Sequence, residues 1–230
     1  FAGSPLHPIL LTSLIVAADK VDSTTGVQMA YLKQWAPRSY ADLQLMMPEL
    51  IAGAGHTVRG DAHALAGSLG DFDLAYLDPP YNNHRYFTNY HIFETLVTWD
   101  RPDHYGVACK RTDSRSETTR SVFNAKRSMP SALAATIAAL RAGVVIVSYN
   151  NESWLSLDDL RDMCRVHGHV EVLAFDSKRY IGAQIGIHNP AGQRVGQVSH
   201  LHNLEYVVIA GPRATVTRMA AAFPTAHLST

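Results

Sequence analysis

Residues 72–77, Phe72-Asp73-Leu74-Ala75-Tyr76-Leu77, are a mostly apolar run that ends on Asp78-Pro79-Pro80-Tyr81-Asn82. The run predicts a buried strand of an open α/β sheet, and the crevice beyond the carboxyl ends of such strands is where that architecture holds ligands. Proline keeps its carbonyl acceptor while losing its N–H donor, so Asp78 and Pro79 can offer two acceptors to a group with two N–H bonds. A planar exocyclic amine is such a group. Its lone pair is delocalised into the ring, and two fixed acceptors let it become tetrahedral as it attacks, which stabilises charge where it develops. Tyr81 offers a flat face to a planar ring, and the paired prolines stiffen the turn. The plainer alternative for the same residues is a Pro-Pro turn after a core strand.

The rest of the chain surrounds this strand with alternating elements. Residues 9–18 are almost all apolar and predict a buried helix, opening a mostly helical segment that runs to about Leu50. After a break at Gly53-Ala54-Gly55, residues 56–61 suggest a short strand ending in Asp61, then a helix through Leu65. Residues 84–99 carry Tyr90, Phe93 and Leu96 at helical spacing, and 100–129 are polar and charged like a long functional loop. A helix over 131–142, strands at 144–149 and 170–175, and a helix over 157–167 capped by Ser156 follow. Residues 181–203 look like a hairpin excursion, and 206–210 form a last strand. Strands alternating with helices imply a mainly parallel sheet with helices on both faces.

At 230 residues and 47% hydrophobic content the chain can bury a substantial core as one or two domains. No apolar run approaches the ~20 residues of a membrane span, and no secretory signal opens the chain. Cys109 and Cys164 read as reduced thiols outside any metal cluster, and His200-Leu201-His202 as a solvated loop rather than a zinc site. The formal net charge is zero, yet it divides unevenly along the chain. Residues 1–80 hold four basic and eight acidic side chains, 81–127 eight and five, 128–177 three and six, and 178–230 five and one. Basic charge thus gathers just after the Asp78 motif and again near the carboxyl end. A local patch suffices for phosphate contacts, so neutrality excludes no nucleic-acid partner; a solvated mixed-charge loop is the competing reading of residues 110–127.

Asp78-Pro79-Pro80-Tyr81-Asn82-Asn83, followed by Arg85-Tyr86-Phe87-Thr88-Asn89-Tyr90-His91 and Glu94-Thr95, resembles the adenine-specific DNA methyltransferases related to Dam. Further stretches match in order: Ala17 to Val21, Thr24 to Val27, Gly106 to Arg111, Ser148-Tyr149-Asn150-Asn151-Glu152, Lys178-Arg179-Tyr180 and Gln184-Ile185-Gly186. The resemblance implies an α/β, Rossmann-like, S-adenosylmethionine-dependent methyltransferase sheet over residues 56–230, with residues 1–55 a helical segment that takes part in target recognition. It implies methyl transfer to the exocyclic amine of an adenine rotated out of double-stranded DNA, in the cytoplasm at the nucleoid, with restriction-modification as a setting and with neither metal nor membrane.

Residue by residue, the resemblance gives Asp78, Pro79, Pro80 and Tyr81 the catalytic roles, and Asp61, Ala62 and Asp78 a place beside the cofactor. Asn82, Asn83, Arg85, Tyr86, Lys110, Arg111, Tyr149 and Asn150 become contacts to DNA or the extruded nucleotide. A capping role competes for Asp61, and packing of the helix onto the sheet competes for Tyr90 and His91. Extruding a base costs about a few kcal/mol, of which stacking on an aromatic ring returns about 1–3 kcal/mol. The family opens on a strand and a Phe-x-Gly-x-Gly cofactor loop, of which Phe1-Ala2-Gly3-Ser4 matches three letters only. The expectation is therefore that the amino-terminal strands are missing, and that the chain is a truncated enzyme or half of a split one whose separate partner supplies them. The competing functions are a catalytically silent DNA-binding fragment and a methyltransferase of RNA or of a protein amide; those amide and RNA families usually carry Asn where Asp78 stands.

Overall fold

The computed structural model describes residues 3–30, 32, 34–80, 82–178, 187–188, 194–196 and 202–223. The chain forms two units, one built from Phe1–Thr57 with His84–Arg120 and the other from Val58–Asn83 with Ser121–Thr230. Residues 84–120 therefore join the amino-terminal segment rather than the sheet. In chain order the elements are α1 (Leu6–Val21), α2 (Ala62–Leu65), β1 (Asp71–Leu77), α3 (Tyr86–Asn89), α4 (His91–Thr98), β2 (His104–Tyr105), β3 (Lys110–Arg111), α5 (Met129–Ala139), β4 (Arg141–Asn150), α6 (Leu157–Cys164), β5 (His169–Lys178), β6 (Ile187–His188), β7 (Arg194–Gly196), β8 (His202–Gly211) and α7 (Arg213–Ala221). Among the described residues no helix is long and apolar enough to cross a membrane.

The second unit is a four-stranded sheet of order β1-β4-β8-β5. β1 and β4 are parallel, whereas β8 runs antiparallel to both β4 and β5. The expected mainly parallel sheet is corrected here. A parallel pair needs a crossover, which the chain provides between β1 and β4; β5 and β8 are joined by an excursion carrying the β6–β7 hairpin, and such a connection returns the chain antiparallel.

Side chains alternate across the strands, so each strand feeds two cores. On one face Val145, Val147, Tyr149, Val172, Val208 and Ala210 pack against Met129, Leu133 and Ile137 of α5 and Leu160 and Cys164 of α6. On the other, Val144, Leu173 and Ile209 meet Val216 and Ala220 of α7. Helices thus cover both faces, as a Rossmann-like methyltransferase sheet requires. α6 starts as expected: Ser156 Oγ accepts from Asp159 N at 3.1 Å, while an Asp159 carboxylate oxygen accepts from Ser156 N at 3.0 Å. At the far rim Gly168 and Gly211 bring backbones too close for any side chain, since a Cβ at 168 would lie 2.8 Å from the Gly211 carbonyl oxygen.

In the other unit α1 exists but is not a buried helix; of its residues only Ser13 and Ala17 are buried, because a single stripe faces α4. Among the described residues the helical segment expected up to Leu50 is absent beyond Val21, apart from a 3-10 turn at Pro37–Tyr40. Gly26 and Pro37 interrupt it, Pro48 cannot donate the helical bond, and Leu43, Leu45, Met47 and Leu50 stay exposed with no surface to bury them. The strand expected at 56–61 is also absent, and the only described partner of β1 is β4. Truncating the fully buried Leu133 to Ala is expected to cost about 2–5 kcal/mol of stability, read from the shift of a urea-unfolding transition of the sheet unit.

Candidate active site

Parallel pairing of Tyr76 with Ile146 and Leu77 with Val147 brings the carboxyl ends of β1 and β4 to the same rim. β1 delivers Asp78 there, exposed, with Pro79 buried behind it and Pro80 half-buried. On β4 the residues of the α7 face are Val144, Ile146, Ser148 and Asn150, and the hydroxyl of Ser148 replaces an apolar side chain where Asp78 emerges. Ser148 Oγ donates to Asp78 Oδ1 at 2.9 Å, and the Tyr76 hydroxyl donates to Ser148 Oγ at 3.0 Å. Asn150 is buried, and its Oδ1 accepts from the Glu152 N–H at 3.1 Å. Opposite Asn150 in the sheet stands Glu205 of β8. Burial pushes the Glu205 carboxyl above its ordinary range, and the charge of Asp78 adds to the effect. The rim therefore gathers Asp78, Ser148, Tyr76, Asn150 and Glu205. Tyr76 and Glu205 escaped sequence reasoning: one reads as a strand aromatic, and the other needs the register of β8 to be seen at all.

Just past the motif, the Asn82 carbonyl accepts from Asn124 Nδ2 at 3.1 Å, and Asn83 is exposed. Tyr81 lies outside the described residues. Asp61 does not end a strand; it caps α2, with Oδ1 accepting from the His63 N–H at 2.9 Å. Its neighbour Ala62 opens that short helix. Tyr149 is not at the rim either. It points to the opposite face from Ser148, is 1% exposed, and packs in the core with α5 and α6, where burial raises its pKa. Of Cys109 and Cys164, the first is exposed and the second buried, with its thiol pushed up to about 12 by desolvation.

Arg85, Tyr86, Lys110 and Arg111 belong to the other unit. Arg85 donates to the Ser114 carbonyl at 3.3 Å, and Tyr86 is 54% exposed on α3. Lys110 Nζ lies 5.2 Å from the centre of the Tyr105 ring, whose face also carries the Arg115 guanidinium at 3.6 Å. Arg111 has a different task from the expected phosphate contact. Its buried guanidinium meets Asp100 Oδ1 and Oδ2 at 2.6 and 2.7 Å and Asp113 Oδ2 at 2.7 Å, with Thr95 Oγ1 at 3.2 Å. These bonds tie the β2–β3 hairpin to α4, and they hold the Asp100 carboxyl below its usual range.

The alternative reading had His91 packing its helix onto the sheet, but α4 belongs to the unit built from residues 1–57 and 84–120. His91 is fully buried, and neither ring nitrogen has a hydrogen-bond partner among the described residues. Desolvation lowers its pKa, and the charges of Lys110 and Arg111 act in the same direction; the Gln28 backbone pulls the other way without hydrogen-bonding geometry. Gln28 serves α4 instead, its Oε1 accepting from the Ile92 N–H at 3.1 Å. Among the described residues no group of three or more His, Cys, Asp or Glu side chains is gathered as for a metal ion.

A profile of the D12 class N6 adenine-specific DNA methyltransferases matches residues 6–163. The chain belongs to this family. Among curated proteins it is 31% identical over 163 residues to the type II methyltransferase M.FokI of Planomicrobium okeanokoites, an alignment covering 69% of this chain and 24% of that protein. It is 28% identical over 182 residues to the modification methylase LlaI of Lactococcus lactis subsp. lactis, covering 76% and 28%. It is also 31% identical over 174 residues to the type II methyltransferase M.NlaIII of Neisseria lactamica, covering 74% and 50%. The chain thus spans about a quarter to a half of the length of these relatives. No solved structure gives a significant match.

Because His91 is neutral when folded and titrates near 6.5 when unfolded, its contribution to stability is complete above about pH 6.5 and declines as the pH falls toward its lowered folded value. Urea midpoints measured from pH 8 downward should fall through this window, and the His91→Leu variant should show a shallower fall.

Proposed function

We propose that this chain carries the catalytic centre of a DNA adenine methyltransferase, transferring a methyl group from S-adenosylmethionine to the exocyclic amine of an adenine extruded from double-stranded DNA. The observation that carries the reading is the Asp78 carboxylate, fixed at the carboxyl end of β1 by Ser148 in a chain that belongs to the D12 family. Asp78 and the Pro79 carbonyl accept the two N–H bonds of the amine, and the stiffness of Pro79-Pro80 holds the two acceptors apart at a set distance. Tyr81 stacks on the extruded ring. The carboxylate need not be a strong base, because the amine becomes acidic only as the new bond forms.

Asp61 and Ala62 fit the nucleoside end of S-adenosylmethionine in their chemistry: Asp61 is exposed, and its Oδ2 has no partner among the described residues while Oδ1 caps α2. When bound, the cofactor supplies an electrophilic methyl group on a sulfonium. Asn82, Asn83, Arg85, Tyr86, Lys110 and Asn150 are proposed to contact the DNA or the displaced nucleotide. Arg111 and Tyr149 support that surface from within, one by locking the β2–β3 hairpin and the other by packing β4.

Incubation with labelled S-adenosylmethionine and unmethylated genomic DNA should place label in N6-methyladenine, either with the chain alone or after adding a relative's amino-terminal segment bearing the glycine-rich loop. Absence of label in both arms would falsify the proposal. In the preparation that transfers, Asp78→Ala should lose about 3 kcal/mol or more of transition-state stabilisation. Tyr81→Ala should weaken DNA binding and slow transfer while Tyr81→Phe and Tyr81→Trp keep most of both; equal losses in all three would exclude stacking.

A further inference from the structure

We infer that Ser148 is a positioning residue for Asp78: its hydroxyl, oriented by Tyr76, holds Oδ1 so that Oδ2 is the oxygen presented to the amine. The use made of Oδ2 rests on the methyl-transfer reading above; the arrangement itself does not. A serine hydroxyl has one proton to give. Two acceptors are near it, Asp78 Oδ1 at 2.9 Å and the Leu77 carbonyl at 3.4 Å, so the proton goes to the carboxylate. The Tyr76 hydroxyl, at 3.0 Å, donates into a lone pair of the same oxygen. The three groups form a one-way chain, from phenol to alcohol to carboxylate, and each bond makes the next donor stronger.

Asp78 is exposed and follows the last residue of β1, so little else restrains its side chain. A free aspartate would share its time among rotamers, and two acceptors on Asp78 and Pro79 work as a pair only when the carboxylate is still. The sheet supplies the restraint because β4 lies in parallel register with β1, which sets position 148 beside the strand end. On the same face positions 144 and 146 are Val and Ile, and a third aliphatic residue would satisfy the pattern of the strand equally well. The hydroxyl is there for Asp78. Glu205, across from Asn150, is a second carboxyl at the rim and feels the charge of Asp78.

The test needs Ser148→Ala, Ser148→Thr and Tyr76→Phe in the full chain. Nuclear magnetic resonance of the labelled chain reads the two three-bond Hα–Hβ couplings of Asp78, each of which takes a pure gauche or trans value when one rotamer is held and an intermediate value when rotamers average. They should be pure in the parent and in Ser148→Thr, intermediate in Ser148→Ala, and part of the way between in Tyr76→Phe. Couplings already intermediate in the parent, or unchanged in Ser148→Ala, overturn the inference without reference to activity. In the preparation that transfers methyl groups, Ser148→Ala should slow single-turnover transfer roughly 10- to 100-fold, the scale of one hydrogen bond to a charged group, with DNA affinity unchanged and Ser148→Thr restoring the rate. In an Asp78→Asn background, Ser148→Ala should have little further effect. A full additional loss there means that Ser148 acts on the fold rather than through Asp78. An Asp78→Asn variant that transfers as fast as the parent removes the role of the Asp78 carboxylate in transfer, while the couplings still decide the Ser148–Asp78 bond.

Discussion

Parallel pairing of β1 with β4 is the constraint on which the site depends. Six backbone pairings, from Asp71 with Arg141 to Leu77 with Val147, set where each strand stops. A slip of one residue would turn Val145 and Val147 out of the core and carry Ser148 away from Asp78, because side chains alternate with a period of two. The apolar residues that fix the register therefore also fix the geometry of the polar rim. The core residues have no chemistry of their own, yet an acceptor on one strand is aligned with a donor on the next only because they pack in a single way.

The unit built from residues 1–57 and 84–120 follows a different logic. It has little sheet, and it is held by polar bonds reaching across the sequence: Gln28 to the start of α4, Arg111 to Asp100 and Asp113, and Arg38 to Asp22. Removing Asp100 and Asp113 would leave the buried Arg111 guanidinium short of partners, which costs more than those bonds contribute when intact. A surface organised in this way can present long side chains such as Lys110 and Arg115 while its own charges remain neutralised underneath.

Much of the sheet unit was legible in sequence. The strand at 72–77, those at 144–149, 170–175 and 206–210, and the Ser156 cap all lie where their patterns put them, because each is set by local hydrophobic alternation or by a side chain three residues away, but the first is not the buried strand expected, since Phe72, Leu74 and Tyr76 are exposed. What escaped was non-local. Antiparallel insertion of β8 depends on partner choice, and the resulting position of Glu205 beside the rim depends on that insertion. Tyr149 and Arg111 show a second limit. Both sit in stretches that resemble family motifs, and a motif cannot say which of two adjacent residues faces outward; alternation on β4 sends Tyr149 in and Ser148 out. The apolar letters of residues 41–51 suggested a helix, but composition without a surface to pack on does not make one.

β8 lies between β4 and β5, although it follows both in the chain. During synthesis β5 leaves the ribosome with no neighbour, and β4 has β1 on one side only. Until residue 211 has emerged, the edge of β4 away from β1 and the edge of β5 that will meet β8 are both open and rich in valine, leucine and isoleucine, and such edges pair readily with other chains. Arrival of β8 closes both at once, joining ten residues of β5 and six of β4 to one strand. Completion of the four-stranded sheet is thereby tied to translation as far as β8, and a chain stalled before β8 would carry exposed strand edges prone to aggregation.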